Sequence, residues 1–278
     1  MLPKKGDAMQ TLRAIAHPTD FSEASAAAFA HALRIALTAK CPLFILHVSS
    51  DAAKDDWAAF PHVRHTLASW GLMDERESPA AIEHKLGVKV VKAEMMPMGI
   101  VQGIERFLHD HPADLIVLST EGRHGAARWL HGSLAEALAR AAQLPTLFVP
   151  EKTRGFVDPA RGELHLRRVL IPVDHAPQPA AAVDAIVSIA QMLAGGAEER
   201  LLHIGKQPPP VDRAGRPLQV IKGQGDVVDS IVRTATEWHA DLIGMPTAGH
   251  HGFLDALRGS NTERVLRQAP CPVLAVPA

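Results

Sequence analysis

The chain has 278 residues, which at roughly 150 residues per domain suggests two domains. With 47% hydrophobic and 21% charged residues it reads as a folded globular protein and not a disordered one. Its 29 basic and 30 acidic side chains leave a formal charge of −1, which removes bulk electrostatic attraction to nucleic acid or an anionic membrane, and the absence of Tyr excludes tyrosine-based chemistry.

In chain order, Met1 to Gln10 is polar and lacks the apolar core of a leader, and no later run approaches the roughly 18 apolar residues of a membrane span, so the expected location is the cytoplasm. RAIAHPTD at 13–20 reads as a strand ending in a Pro-X-Asp turn, and an Ala-rich stretch with Leu33, Ile35 and Leu37 reads as a helix. LFILHV at 43–48 reads as the second strand. Residues 49–86, with Trp57, Phe60, Trp70, Leu72 and Met73, read as an insertion of one or two helices over the sheet. Ile100, Ile104, Phe107 and Leu108 recur at helical spacing, and HPADLIVLS at 111–119 and TLFVP at 146–150 close the series as strands.

Residues 151–166 are polar and irregular and read as a linker. The pattern then repeats: RVLIPVD at 168–174, RLLHI at 200–204, a helix through Val227, Ile231 and Thr234, HADLIGMP at 239–246 and VLAVP at 273–277. The Pro-rich stretch 205–217 reads as a plain loop where the first copy has its insertion. Asp20 and Asp174 are 154 apart and Gly122 and Gly249 are 127 apart, so the second copy is 27 residues shorter. Short apolar runs alternating with helices imply parallel strands and right-handed crossovers, hence an α/β fold of two tandem doubly wound domains, 1–150 and 167–278. Ligands of such sheets lie beyond the carboxyl ends of the strands, at the switch point. Cys41 and Cys271 each precede a proline and a strand, form no CxxC, and read as small buried hydrophobes.

After the fourth strand of each copy, Gly122 is followed by nine residues and Gly132-Ser133, and Gly249 by nine residues and Gly259-Ser260. Glycines let a backbone approach an anion, and the free N–H groups of a helix N-terminus face it. Ser133-x-x-Glu136 and Ser260-x-x-Glu263 are equally capping boxes that need no ligand, and for the serines alone both readings stay open. Recurrence of spacing and context in both copies raises the ligand reading. Arg123, Arg128 and Arg258 either neutralise phosphate or are merely solvated, and Trp129 and Phe253 read as packing residues. No G-x4-GK-[ST] loop, kinase set or G-x-S-x-G elbow is present, and His203-Ile204-Gly205-Lys206 lacks the second His of a nucleotidyltransferase pattern.

These segments resemble the universal stress protein family, whose nucleotide-binding members carry G-x2-G-x9-G-[ST] after the fourth strand. The stretch GHHGFLDALRGSNTERVLRQAPCPVLAVP (249–277) is similar to that family's C-terminal signature, and HPTDFSEAS (17–25) to its first-strand ending. The resemblance spans nearly the whole chain twice. It implies that each domain is a five-stranded parallel sheet flanked by helices, Rossmann-like and adenine nucleotide alpha hydrolase-like. It also implies ATP or a related adenine nucleotide as ligand in some members, and pairing through fifth strands, within a tandem chain as a pseudo-dimer or between chains as a homodimer. It carries Pro18, Thr19 and Asp20, and Asp174, onto the adenine side at the first-strand ends; Val48 and Ile204 onto the base through their backbone; and Gly122, Gly132 and Ser133, with Gly249, Gly259 and Ser260, onto the phosphates. The motif's first glycine is Ser119 in one copy and Pro246 in the other, which weakens the ribose contact, more so in the second, so copy one is the better nucleotide site. Asp20 and Asp174 could also hold Mg²⁺, but each has no obvious second carboxylate, and a turn or cap role is the simpler reading.

The expected function is a stress-response regulatory protein that binds a small nucleotide and hydrolyses it slowly or not at all. Its competitors are a scaffold on the same fold without nucleotide, and an enzyme or metal-dependent protein using His124, His131, His250 and His251 of the glycine loops, four imidazoles that could bind zinc. The other members of the 16-histidine set read as scattered surface and turn residues.

Overall fold

A computed structural model of the chain describes residues 12–48, 59–95, 100–120, 144–151, 153, 155–247 and 261–278. The N-terminal half contains β1 (Ile15–Pro18), α1 (Glu23–Ala39), β2 (Leu43–Val48), α2 (Val63–Ser69), α3 (Ala80–Leu86), β3 (Val90–Met95), α4 (Ile100–Asp110), β4 (Leu115–Ser119) and β5 (Thr146–Val149). The C-terminal half contains β6 (Arg168–Pro172), α5 (Ala180–Ala194), β7 (Glu198–Ile204), β8 (Asp212–Arg213), β9 (Arg216–Pro217), β10 (Val220–Gly223), α6 (Val227–Glu237), β11 (Leu242–Thr247), α7 (Asn261–Gln268) and β12 (Val273–Pro277).

Ten strands form one sheet in the order β10-β7-β6-β11-β12-β5-β4-β1-β2-β3. Each half contributes five parallel strands with the same internal order, third-second-first-fourth-fifth. The seam is antiparallel: β12 pairs with β5, with Val273 opposite Phe148, Leu274 opposite Leu147 and Ala275 opposite Thr146. The carboxyl ends of the two sets of strands therefore point to opposite rims of the sheet.

The inner strands β1, β4 and β5 are buried on both faces, as the apolar runs require. One face is covered by α1, α2, α3 and α5, whose Leu33, Leu67, Ile82 and Ile186 share a single apolar core with strand residues of both halves. The other is covered by α4, α6 and α7 through Ile104, Ile231 and Val265. α1 and α5 meet across the seam. Cys41 and Cys271 are buried, and burial pushes their thiols up to about 11 and about 12. Among the described residues no helix is long and apolar enough to cross a membrane.

The duplicated Ala-Asp-Leu-Ile run has a structural reason. Asp114, just before β4, accepts from the Arg13 backbone N–H at 2.6 Å and from its guanidinium at 2.7 Å, tying the starts of β1 and β4 together. Burial alone would raise the Asp114 carboxyl, but these bonds from Arg13 hold it below the usual carboxylate range. Asp241 accepts from the Arg167 and Arg168 backbone N–H groups at 2.8 and 3.0 Å in the same place of the second half.

One expectation needs correction. The stretch 205–217 is not a plain loop: β8 and β9 pair antiparallel within it, and Arg213 donates to Asp184 of α5 at 2.9 Å and to Gln191 at 3.1 Å. This ribbon contributes Val211 to the core face that α2 and α3 cover in the other half. The segment 151–166, read as a linker, is itself packed. Phe156, Val157 and Leu166 are buried, and Val157 bridges to Leu164. His31 of α1 donates from Nδ1 to the Ala27 carbonyl at 2.8 Å and accepts the Val157 N–H at Nε2 at 3.3 Å, with the Phe156 ring edge-on at 4.6 Å. Trp70, after α2, donates its indole N–H to the Pro159 carbonyl at 2.9 Å. The insertion therefore clamps the connector. The polar composition hid a few apolar anchors.

Gly162 in this connector has φ +66°, and a Cβ there would lie 2.3 Å from the Trp70 ring. Gly162→Ala is expected to cost about 1–3 kcal/mol and to shift Trp emission to the red as Trp70 is levered out. Gly196→Ala, where a Cβ meets nothing within 4 Å, serves as the neutral control. Urea unfolding followed by fluorescence reads both, and equal stability of the two variants would refute the clamp.

Candidate functional site

Strand order reverses between β1 and β4, and between β6 and β11, so each half has one switch-point crevice. The ladders there are short. β1 pairs with β4 only through Ile15–Leu115 and Ala16–Ile116, and β6 with β11 only through Val169–Leu242 and Leu170–Ile243; beyond these the strands part.

In the N-terminal half His17 stands where the strands part. It is fully buried, packs near Phe29 of α1, and donates from Nδ1 to the Val117 carbonyl at 2.9 Å; its Nε2 has no hydrogen-bond partner. After Pro18 the Thr19 N–H bonds the Leu46 carbonyl at 2.8 Å, and the buried Thr19 hydroxyl bonds Ser25 at 2.8 Å. Asp20 Oδ1 accepts from the Ser22 N–H at 3.0 Å and the Ser22 hydroxyl at 2.6 Å, while Ser22 Oγ accepts the Ser25 N–H and caps α1. This Asx turn fixes Asp20 beside the crevice. Phe21 adopts φ 59° and stacks on His47 of β2 with centroids 3.9 Å apart, with Phe60 edge-on at 5.0 Å. His47 donates from Nδ1 to the Thr19 carbonyl at 2.9 Å.

The C-terminal half keeps the skeleton of this arrangement. The Val173 N–H bonds the Leu202 carbonyl at 2.8 Å, and His203 of β7 donates from Nδ1 to the Val173 carbonyl at 3.1 Å, as His47 does to Thr19. The side chains differ. Ile171 takes the place of His17, Val173 that of Thr19, and His175 that of Phe21. Asp174 is exposed and its Oδ1 accepts the His175 N–H at 2.8 Å.

The structure thus places Pro18, Thr19, Asp20 and the carboxyl end of β2 at Val48 around one crevice, and Asp174 and Ile204 around the other. Ser119 is the last residue of β4, buried and in register with Val149. Pro246 lies within β11 opposite Val276, beyond the last β6 pair, so its missing N–H removes no ladder bond to β6. The buried Thr247 hydroxyl has no partner. Gly122, Gly132, Ser133, Gly249, Gly259 and Ser260, the loop histidines His124, His131, His250 and His251, and Arg123, Arg128, Arg258, Trp57, Trp129 and Phe253 lie outside the described residues. α7 begins at Asn261, directly after Ser260.

Reading the remaining histidines as surface and turn residues misses four of them. His17, His31 and His203 are buried and His47 is half-buried, and each bonds a backbone carbonyl. The available signal was their position inside apolar runs: AIAHP, FAHAL, ILHV and LLHI.

Burial pushes the His17 and His31 imidazoles down to about 4, against the smaller upward pull of their carbonyl partners. Free imidazoles titrate near 6.5. Between these values the unfolded chain takes up protons that the folded chain refuses, so stability falls as pH drops through that window. Each group accounts for about 2 kcal/mol lost on going from about pH 7 to about pH 5. His17→Ile, the residue its counterpart uses, is expected to shrink the acid-induced loss by about that amount in urea unfolding. An undiminished acid loss would show that His17 is not held neutral.

A model of the universal stress protein family matches residues 11–150 and 209–277. A curated universal stress protein of Methanocaldococcus jannaschii is 30% identical over 141 residues, 48% of this chain and 78% of that one. Among solved structures, a universal stress protein from Archaeoglobus fulgidus superposes with a TM-score of 0.61 at 18% identity over 97% of both chains. A protein of unknown function from Pseudomonas aeruginosa gives 0.63 at 17% identity, over 97% of this chain and 94% of that chain. β6, α5 and β7 fall outside the matched segments, yet β6 and β7 occupy the places in the sheet of β1 and β2, and α5 covers the same face as α1.

Proposed function

The chain belongs to the universal stress protein family, and from that premise we propose that it is a regulatory protein that binds ATP or a related adenine nucleotide at the crevice between β1 and β4. The observation that carries this reading is the Asp20 turn, held by Ser22 beside two strands that part after a two-residue ladder. The parting would give the nucleotide its place, and the turn would present a fixed carboxylate at the base end. The phosphates would meet the glycine segment from Gly122 to Ser133, whose backbone N–H groups need no net positive charge. Ser22 already engages Asp20 Oδ1, so magnesium would be carried by the phosphates. The two halves act as separate domains, 1–150 and 167–278, with 151–166 as the clamped connector. Occupancy would be the signal, through different affinities for two conformations, in a cytoplasmic stress response.

The second half is the poorer nucleotide site. Pro246 replaces the motif's first glycine, and His175 and His203 stand at the base end. A scaffold function without nucleotide is favoured by one feature, the Phe21, His47 and Phe60 ring cluster packed beside Asp20.

Calorimetric titration of ATP and ADP into stripped protein separates the readings. The nucleotide reading predicts saturable binding, weakened at least about tenfold, or roughly 1.4 kcal/mol, by Gly122→Val and little changed by Gly249→Val. No heat from folded protein at millimolar ATP would leave the scaffold reading.

A further inference from the structure

Duplication has turned the base end of the second crevice into something chemically different from the first. Phe21 stacked on His47 becomes His175 against His203, with ring centroids 5.8 Å apart and nearly perpendicular, and Asp174 stands beside them with Oδ1 3.8 Å from His203 Nδ1. One donor atom from each of Asp174, His175 and His203 lies within 4.8 Å of the others, the one such group of His, Cys, Asp or Glu found among the described residues. We propose that Asp174, His175 and His203 form a binding site for a divalent transition-metal ion of the zinc class.

The donor set selects the ion. Two imidazoles and one carboxylate suit borderline ions such as Zn²⁺, whereas Mg²⁺ and Ca²⁺ take oxygen donors. The rings are oriented as ligating histidines are. His203 Nδ1 donates to the Val173 carbonyl at 3.1 Å and His175 Nε2 to the Gln207 carbonyl at 3.0 Å, so the ligating nitrogens are His203 Nε2 and His175 Nδ1, and Asp174, whose Oδ1 lies 3.8 Å from the anchored His203 Nδ1, has to swing its exposed side chain toward the other edge of that ring. A Cβ at Gly205 would come within 2.5 Å of His203 Nε2, so glycine keeps that edge of the ring clear.

Closure falls on the exposed turn. Donors about 2.0–2.2 Å from one tetrahedral ion are roughly 3–3.5 Å apart, inside the 4.8 Å that bounds the present group. Asp174 and His175 lie exposed on a turn and can move, while the buried His203 is the fixed point. Three protein donors leave a position for water or a small anion, and neutral imidazoles with a single carboxylate leave the bound ion with net positive charge. The site is separate from the nucleotide reading of the first crevice, because the two crevices open at opposite rims of the sheet.

The test uses the full chain, stripped with chelator and kept free of nucleotide, with zinc titrated against a chromophoric competitor. Visible absorption of the cobalt-loaded protein is the second readout. One zinc per chain is expected, with an intensified cobalt spectrum. His175→Phe installs the residue of the first half at an exposed position, and it should keep the circular dichroism of the parent while weakening zinc at least about tenfold. Asp174→Asn should do the same, and the exposed His239→Ala should change nothing. Absence of zinc binding by the parent overturns the site. So does parental affinity in His175→Phe, or zinc lost only in a His250→Ala, His251→Ala double variant, which would move the metal to the glycine loop.

Discussion

β5 and β12 each close a parallel five-stranded array with a short strand whose residues are buried almost throughout, and neither could face water as an open edge. Their antiparallel pairing satisfies both edges at once. The apolar cores on each face of the sheet then run through from one half to the other, and α1 and α5 meet over the seam. Because the strands meet antiparallel, the two crevices face away from each other. Any communication between them has to pass through the seam or the clamped connector, since no single small ligand can span both.

The two halves show which parts of the duplicated unit are held by backbone geometry and which are free to change. Asp114 and Asp241 keep the same role at the strand starts, and His47 and His203 keep the same bond to the carbonyl after the first strand. These bonds set where the first strand ends, so both copies need them. The side chains that line the crevices have diverged instead. His17 has become Ile171, Thr19 has become Val173 and Phe21 has become His175. A common frame therefore carries two chemically distinct mouths.

Much of the fold was legible from the chain. Strands buried on both faces read as uninterrupted Val, Ile and Leu runs, and the helices between them follow from a 3.6-residue spacing. The recurrence of both patterns, at an offset of 154 at Asp20 and Asp174 and of 127 at Gly122 and Gly249, exposes the duplication. The short ribbon of β8 and β9 was not legible, because two-residue strands carry no periodic signal and Arg213 is held by residues of α5 far away in sequence. The packing of the connector was hidden for a similar reason. Phe156, Val157 and Leu166 are isolated among polar residues, and only their meeting with His31 and Trp70 makes them anchors.

The sequence by itself determined the α/β class, the tandem repeat, the Pro-X-Asp turns and the residues expected at their ends, because these depend on local spacing and turn chemistry. Tertiary structure alone decided the roles of the histidines. Whether an imidazole is a neutral buried strut, as at His17 and His31, or a donor beside a carboxylate and a second imidazole, as at His203, depends on what other strands and helices bring to it. Those neighbours come from positions 30 to more than 100 residues away in the chain, beyond the reach of any local pattern.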